Sequence, residues 1–247
     1  MSVSHSTAVK RSAIVRTDVP LKSRLHFPRT FEDRADLGMR ELRAPATFEE
    51  YLKLSLICDF QLHYRDGHII SFIEIDAKTN AIMGEASISH EAIVMRIGRL
   101  IDELFEAEPQ TYHLLGSNAK IFIGPERRGY NADVTVVKGE IKQQSYKYNR
   151  RSVSGITNPW LIVEVLSEST RDFDLSEKLS DYKQIPSLQQ IIFIDQSAVH
   201  VSTYIRVSEN EWRNLDFHTP EALLPVDTKS ISLRRIYQHI PDGPEVG

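Results

Sequence analysis

The chain has 247 residues, 41% of them hydrophobic, with a net charge of −4 and a single cysteine. That length suits one good-sized domain with a tail or two small ones, and no apolar run approaches the roughly 18 residues that span a bilayer. Cys58 cannot form an internal disulfide and suits a reducing, cytoplasmic setting, no Cys/His cluster has zinc spacing, and the acidic balance argues against a simple DNA-coating role.

From Met1 to about Pro28 the chain is Ser-rich and basic, with Lys10, Arg11, Arg16, Lys22 and Arg24 against Asp18 alone. Without apolar periodicity this reads as a flexible arm, and its composition also resembles an organellar transit peptide. We set the arm at 1–45 and a single domain at 46–240. Thr47-Phe48-Glu49-Glu50 has capping-box form, so a short helix carrying Tyr51 and Leu54 should follow. Phe60–Tyr64 and His68–Ile75 read as strands around an Asp66-Gly67 turn. Ser89 is a candidate cap for a helix to about Glu106, with Ile93, Ile97, Leu100, Ile101 and Leu104 on one face. Strands are expected at Lys120–Ile123, Asp133–Val137, Trp160–Leu166, Gln190–Asp195 and Val199–Arg206, with a helix over Leu175–Gln184. Arg206–Leu215 suggests a hairpin and Ser232–Ile240 a last short helix. This order predicts an α/β domain around a mixed central sheet flanked by helices.

The chemistry concentrates in Trp160-Leu161-Ile162-Val163-Glu164-Val165-Leu166, a strand apolar on both faces with one carboxylate inside it. A buried carboxylate needs a cation, a donor or a proton, so Glu164 is either paired with a Lys or Arg or part of a site. Asp133 opens another apolar strand. If the two strands are neighbours, two carboxylates face each other, and a hard divalent cation, Mg²⁺ or Mn²⁺, would relieve their repulsion. Asp174 and Glu177 have the spacing of an N-cap and its N3 partner. Lys178 and Tyr182, at i and i+4, share a face of the following helix, which can return over the strand end. Each has a plainer reading: Lys178 as a surface lysine paired to Asp174 or Asp181, Tyr182 as core. Lys142, Lys147, Arg150 and Arg151 alternate with Tyr146 and Tyr148 in what reads as a mobile loop, either a nucleic-acid contact or a solvated linker.

The sequence resembles the Uma-two family of restriction endonucleases. The resemblance is carried by Thr47 through Leu52, Asp66-Gly67, His90, Asp133-Val134, Val163 through Ser167 with Ser169-Thr170, and Asp174 through Lys178 to Tyr182. It continues through Ile185-Pro186-Ser187-Leu188 and Phe193-Ile194-Asp195, and covers roughly Ala46 to Phe217. It implies the PD-(D/E)XK nuclease superfamily, a restriction-endonuclease-like fold and hydrolysis of DNA phosphodiesters. Asp133 then matches the first acid and Glu164 the second. The usual lysine position falls on Leu166, and Lys178 resembles its migrated substitute; Ala132 stands where the family prefers proline. The implied metal ligands are Asp133, Glu164 and the carbonyl of Val165, with Lys178 and Tyr182 completing the catalytic set. The expected function is a Mg²⁺-dependent endonuclease acting on DNA, with a homodimer left open and no membrane partner. The alternative is a silent nuclease-fold module that binds nucleic acid or protein.

Overall fold

The computed structural model describes residues 27–75, 82–83, 86–107, 112–124 and 128–246. The first part of the chain gives α1 (Phe31–Ala35), β1 (Glu41–Pro45), α2 (Phe48–Leu54), β2 (His63–Arg65), β3 (His68–Phe72), β4 (Glu74–Ile75), β5 (Ile82–Met83) and α3 (Ile88–Phe105). The middle gives β6 (Tyr112–Gly116), β7 (Lys120–Ile123), β8 (Arg128–Asn131), β9 (Val134–Lys138), β10 (Gln143–Tyr148), β11 (Arg151–Ile156) and β12 (Leu161–Leu166). A continuous helical run follows: α4 (Arg171–Phe173), a π-helical turn (Asp174–Lys178) and α5 (Leu179–Tyr182). The chain closes with β13 (Gln190–Asp195), β14 (Val201–Ser208), β15 (Glu211–Phe217), β16 (Leu223–Val226), β17 (Lys229–Ser232) and α6 (Leu233–Tyr237).

Two large mixed sheets organise these elements: β15-β14-β13-β12-β9-β6 and β1-β3-β2-β8-β7-β11-β10. Sequence patterning predicts one central sheet. The seven-stranded sheet escapes that reading because several of its strands, Glu41–Pro45 and Arg128–Asn131 among them, are short or polar. In the six-stranded sheet β12 runs parallel to β13 and antiparallel to β9. Strand period decides which face each β12 residue takes. Leu161, Val163 and Val165 pack with Ile93, Ile97 and Leu100 of α3 and with Ile236 of α6. Ile162 and Leu166 point the other way, onto Phe173, Leu179 and Tyr182 of the helical run and Ile121 and Tyr130 of the seven-stranded sheet. Glu164 lies between Ile162 and Leu166 on that second face, so it is delivered to the interface between the sheets.

Several expectations are corrected. The Thr47 capping box is present as expected, but the long helix is capped by Ser87, whose hydroxyl accepts from the His90 N–H, rather than by Ser89. Residues 1–26 of the proposed arm lie outside the described residues. The rest of it is built into the fold: β1 pairs with β3, and the buried guanidinium of Arg34 donates to the Ser71 hydroxyl at 2.7 Å. The basic composition hid this because α1 and β1 are short. The stretch containing Lys142, Lys147, Arg150 and Arg151 is not a loop. Its strands β10 and β11 pair from Gln143↔Ile156 to Tyr148↔Arg151 around a turn at Asn149-Arg150, where Asn149 takes a positive φ of 53°. As the sheet's outer strand, β10 stays polar because only one of its edges is paired.

Candidate active site

The helical run reaches back over the end of β12 and brings its residues to Glu164. The Lys178 ammonium stands 3.0 Å from Glu164 Oε1 and 2.9 Å from Asp174 Oδ1. The Tyr182 hydroxyl donates to the same Glu164 oxygen at 2.6 Å, and the Lys178 ammonium also donates to the Asn131 carbonyl at 3.3 Å. Asp174, Lys178 and Tyr182 are spaced i, i+4, i+8, which would drift around an unbroken α-helix by about 40° per step. The π-helical turn, at about 4.4 residues per turn, rotates the first step the opposite way and keeps all three on one face.

Asp133 enters from the neighbouring strand. The β9–β12 ladder ends at Val134↔Val163, which leaves the Val165 N–H without a partner from β9. Asp133 Oδ2 accepts that N–H at 2.7 Å and lies 3.4 Å from Nε2 of His90 on α3. An extended residue presents its N–H and C=O to the same side, so the Val165 carbonyl also faces Asp133. Glu164, Lys178 and Asp174 are buried, whereas Asp133 and His90 are partly open to a cleft of about 600 Å³ between the sheets. Asp133, Glu164, Val165, Asp174, Lys178 and His90 all line it.

Three carboxylates thus crowd one ammonium. Burial pushes Glu164 upward, Lys178 pulls it back, and the charges of Asp174 and Asp133 raise it further. Asp174 is likewise raised by burial. Burial works to lower Lys178, but Asp174 and Glu164 outweigh it and hold it above its ordinary value. The raised acids and the raised lysine are one coupled system sharing its protons, not independent sites. Tyr182, raised by burial and by Glu164, remains a neutral donor. Burial lowers His90, and the bond to Asp133 more than reverses this.

The donor chemistry fits a hard divalent cation. Glu164 uses Oε1 for Lys178 and Tyr182, and Asp133 uses Oδ2 for Val165 and His90. Their other oxygens, Glu164 Oε2 and Asp133 Oδ1, accept no hydrogen bond among the described residues. With the Val165 carbonyl they offer oxygen ligands at a locus with surplus negative charge. Among the described residues no cluster of three His, Cys, Asp or Glu side chains has the arrangement of a metal cage.

The cluster thus unites Asp133, Glu164, Val165, Lys178 and Tyr182, although Tyr182 stands behind Glu164 and does not line the cleft. Lys142, Lys147, Arg150 and Arg151 do not line it either; they belong to the edge hairpin. Sequence reasoning missed Asp174 as a buried member, because its spacing to Glu177 looked like a helix cap. It also gave His90 no place in the cluster, naming it only among the residues that carry the family resemblance. Both are signalled only weakly, by acids and a histidine near helix starts.

Residues 48–234 match the Uma2 family, described as "Putative restriction endonuclease". The uncharacterized protein sll1609 of Synechocystis sp. is 31% identical over 141 residues, which is 55% of this chain and 76% of that protein. The uncharacterized protein slr1290 of the same organism is 33% identical over 185 residues, 75% of this chain and 85% of that one. A crystal structure from Anabaena variabilis, titled a putative nuclease belonging to DUF820, superposes with a TM-score of 0.55 at 17% identity. It covers 78% of this chain and 97% of that one, a likeness of fold.

Proposed function

The chain belongs to the Uma2 family, and from that premise we propose that it is a metal-dependent endonuclease that hydrolyses DNA phosphodiester bonds in the cleft between its two sheets. The observation that carries this reading is the convergence of Asp133 and Glu164 with Lys178 at one cleft, the ammonium 3.0 Å from Glu164. Asp133, Glu164 and the Val165 carbonyl would hold Mg²⁺ or Mn²⁺, which when bound polarises the phosphoryl group and lowers the pKa of water. Lys178 offsets charge on the phosphoryl oxygens as water adds to phosphorus and the bridging ester oxygen leaves. Tyr182 fixes the rotamer of Glu164 from behind, and His90 orients Asp133. No helix among the described residues is long and apolar enough to cross a membrane.

One observation favours a second reading, a silent nuclease-fold module. Lys178 is already shared by two carboxylates, which would also suit a closed structural ion cluster. Nicking of supercoiled plasmid separates the two. Cleavage that requires Mg²⁺ or Mn²⁺, stops with chelator and is lost in Asp133→Asn supports the nuclease. A wild type that leaves plasmid intact with either ion rejects it.

A further inference from the structure

Asp174 has no part in the chemistry proposed above, yet the fold keeps it at the heart of the site. It is 2% exposed and lines the cleft, and its Oδ1 stands 2.9 Å from the Lys178 ammonium. Withdrawing a third carboxylate from water is costly, and a nearby cation must answer it. The local backbone serves that contact. Asp174 opens the π-helical turn and Lys178 closes it, and the turn is what sets the two on one face. One acid would suffice for an ammonium that only stabilised the fold.

The need for a second acid lies in how Glu164 is used. Its Oε1 accepts from Lys178 at 3.0 Å, while its Oε2 is one of the oxygens open to a cation. A divalent cation on one oxygen and an ammonium on the other set three positive charges against a single carboxylate. So close together in a site withdrawn from water, the two cations repel. Glu164 and Asp174 are the two carboxylates within ion-pair distance of Lys178 among the described residues. Asp174 is the one of the pair that the cation does not share.

We propose that Asp174 is a positioning residue, the counter-ion of Lys178 that lets the ammonium and a divalent cation occupy Glu164 at the same time. The inference rests on the cation site of the nuclease reading and deepens it. With Asp174 in place, Lys178 stays beside the cleft when the cation binds. Without it, ammonium and cation compete for one carboxylate.

The test is Mn²⁺ binding without DNA, read from the electron paramagnetic resonance signal of the free ion, on wild type, Asp174→Asn and the double variant Asp174→Asn/Lys178→Met. Asp174→Asn, which keeps the shape of the side chain, should weaken Mn²⁺ binding by about 10–100-fold. The double variant should recover most of that loss, because it also removes the ammonium that Asp174 answers. Asp174→Asn that binds Mn²⁺ like wild type overturns the proposal. A double variant as weak as Asp174→Asn also overturns it, and makes Asp174 a ligand or a support of the fold instead. A wild type that binds no Mn²⁺ overturns the cation site itself, and the inference with it. Should the variants not fold, wild-type crystals soaked in Mn²⁺ decide the matter. The Lys178 ammonium should remain within ion-pair distance of Asp174, and an ammonium that has left Asp174 overturns the proposal.

Discussion

Replacing Lys178 with methionine keeps the packing of the stem but removes the one ammonium that Glu164 and Asp174 share. At about 3 Å and an effective dielectric of about 20, each contact contributes roughly 5 kcal/mol of attraction, most of it offset by the cost of drying three charges. Deleting one member of such a buried group typically costs about 3–5 kcal/mol, because the remaining carboxylates then face each other and Asp133 unopposed. For a chain of this size that lowers Tm by about 6–20 °C. The loss should depend on pH. In the variant, Glu164 and Asp174 lie above their unfolded values by burial and mutual repulsion. The folded state therefore binds more protons than the unfolded one, and stability must fall as pH rises above the ordinary carboxylate range. Thermal melts of wild type and Lys178→Met at pH 5.5 and pH 8, as nominal settings of about those values, should diverge most at the higher pH. A variant that melts within about 2 °C of wild type at pH 8 would refute the view of Lys178 as the centre of a buried ion cluster.

Tyr182→Phe removes only the hydroxyl that bonds Glu164 and should cost about 1.5–3 kcal/mol by denaturant unfolding; no measurable loss would mean that the 2.6 Å contact does not hold Glu164. Gly129→Ala would place a Cβ 2.6 Å from the Tyr51 hydroxyl oxygen and 2.8 Å from its Cε1, so overpacking should destabilise the protein by about 1–3 kcal/mol. A neutral result would show that Tyr51 gives way freely. Amides bonded across the β10–β11 hairpin should be protected from hydrogen exchange, and exchange at open-loop rates would return Tyr146–Arg151 to the loop expected from its composition.

Asp133, Glu164, Lys178 and Tyr182 were legible from local pattern alone. Glu164 interrupts an apolar strand, Asp133 opens another, and Lys178 and Tyr182 repeat at helical spacing. Their convergence depends on β12 lying beside β9, which an apolar alternation on both strands allows but does not specify. The π-helical turn was not legible, since Asp174 through Lys178 reads equally well as an ordinary helix with Asp174 as its N-cap and Glu177 as the N3 partner. The fold was legible where strands were long and apolar, as in Leu161–Leu166 and Gln190–Asp195. It was not legible where tertiary pairing overrides polar composition, as in Glu41–Pro45 against β3 and in the basic β10–β11 hairpin. The acids on the helical run also carry an energetic role that spacing conceals. Asp181, fully buried, accepts from Arg65 at 2.8 Å, and Glu177 accepts from Arg43 at 2.8 Å. These bonds tie the run to the seven-stranded sheet and hold Lys178 over Glu164.

The proposed function makes Asp133 and Glu164 ligands of one cation. Anomalous scattering from crystals soaked in Mn²⁺ tests it most directly. A single strong peak is expected in the cleft, between the two carboxylates and beside the Val165 carbonyl, and it should be lost in Glu164→Gln crystals that keep the fold. A cleft without anomalous density in wild type, or a peak unchanged by Glu164→Gln, would contradict it.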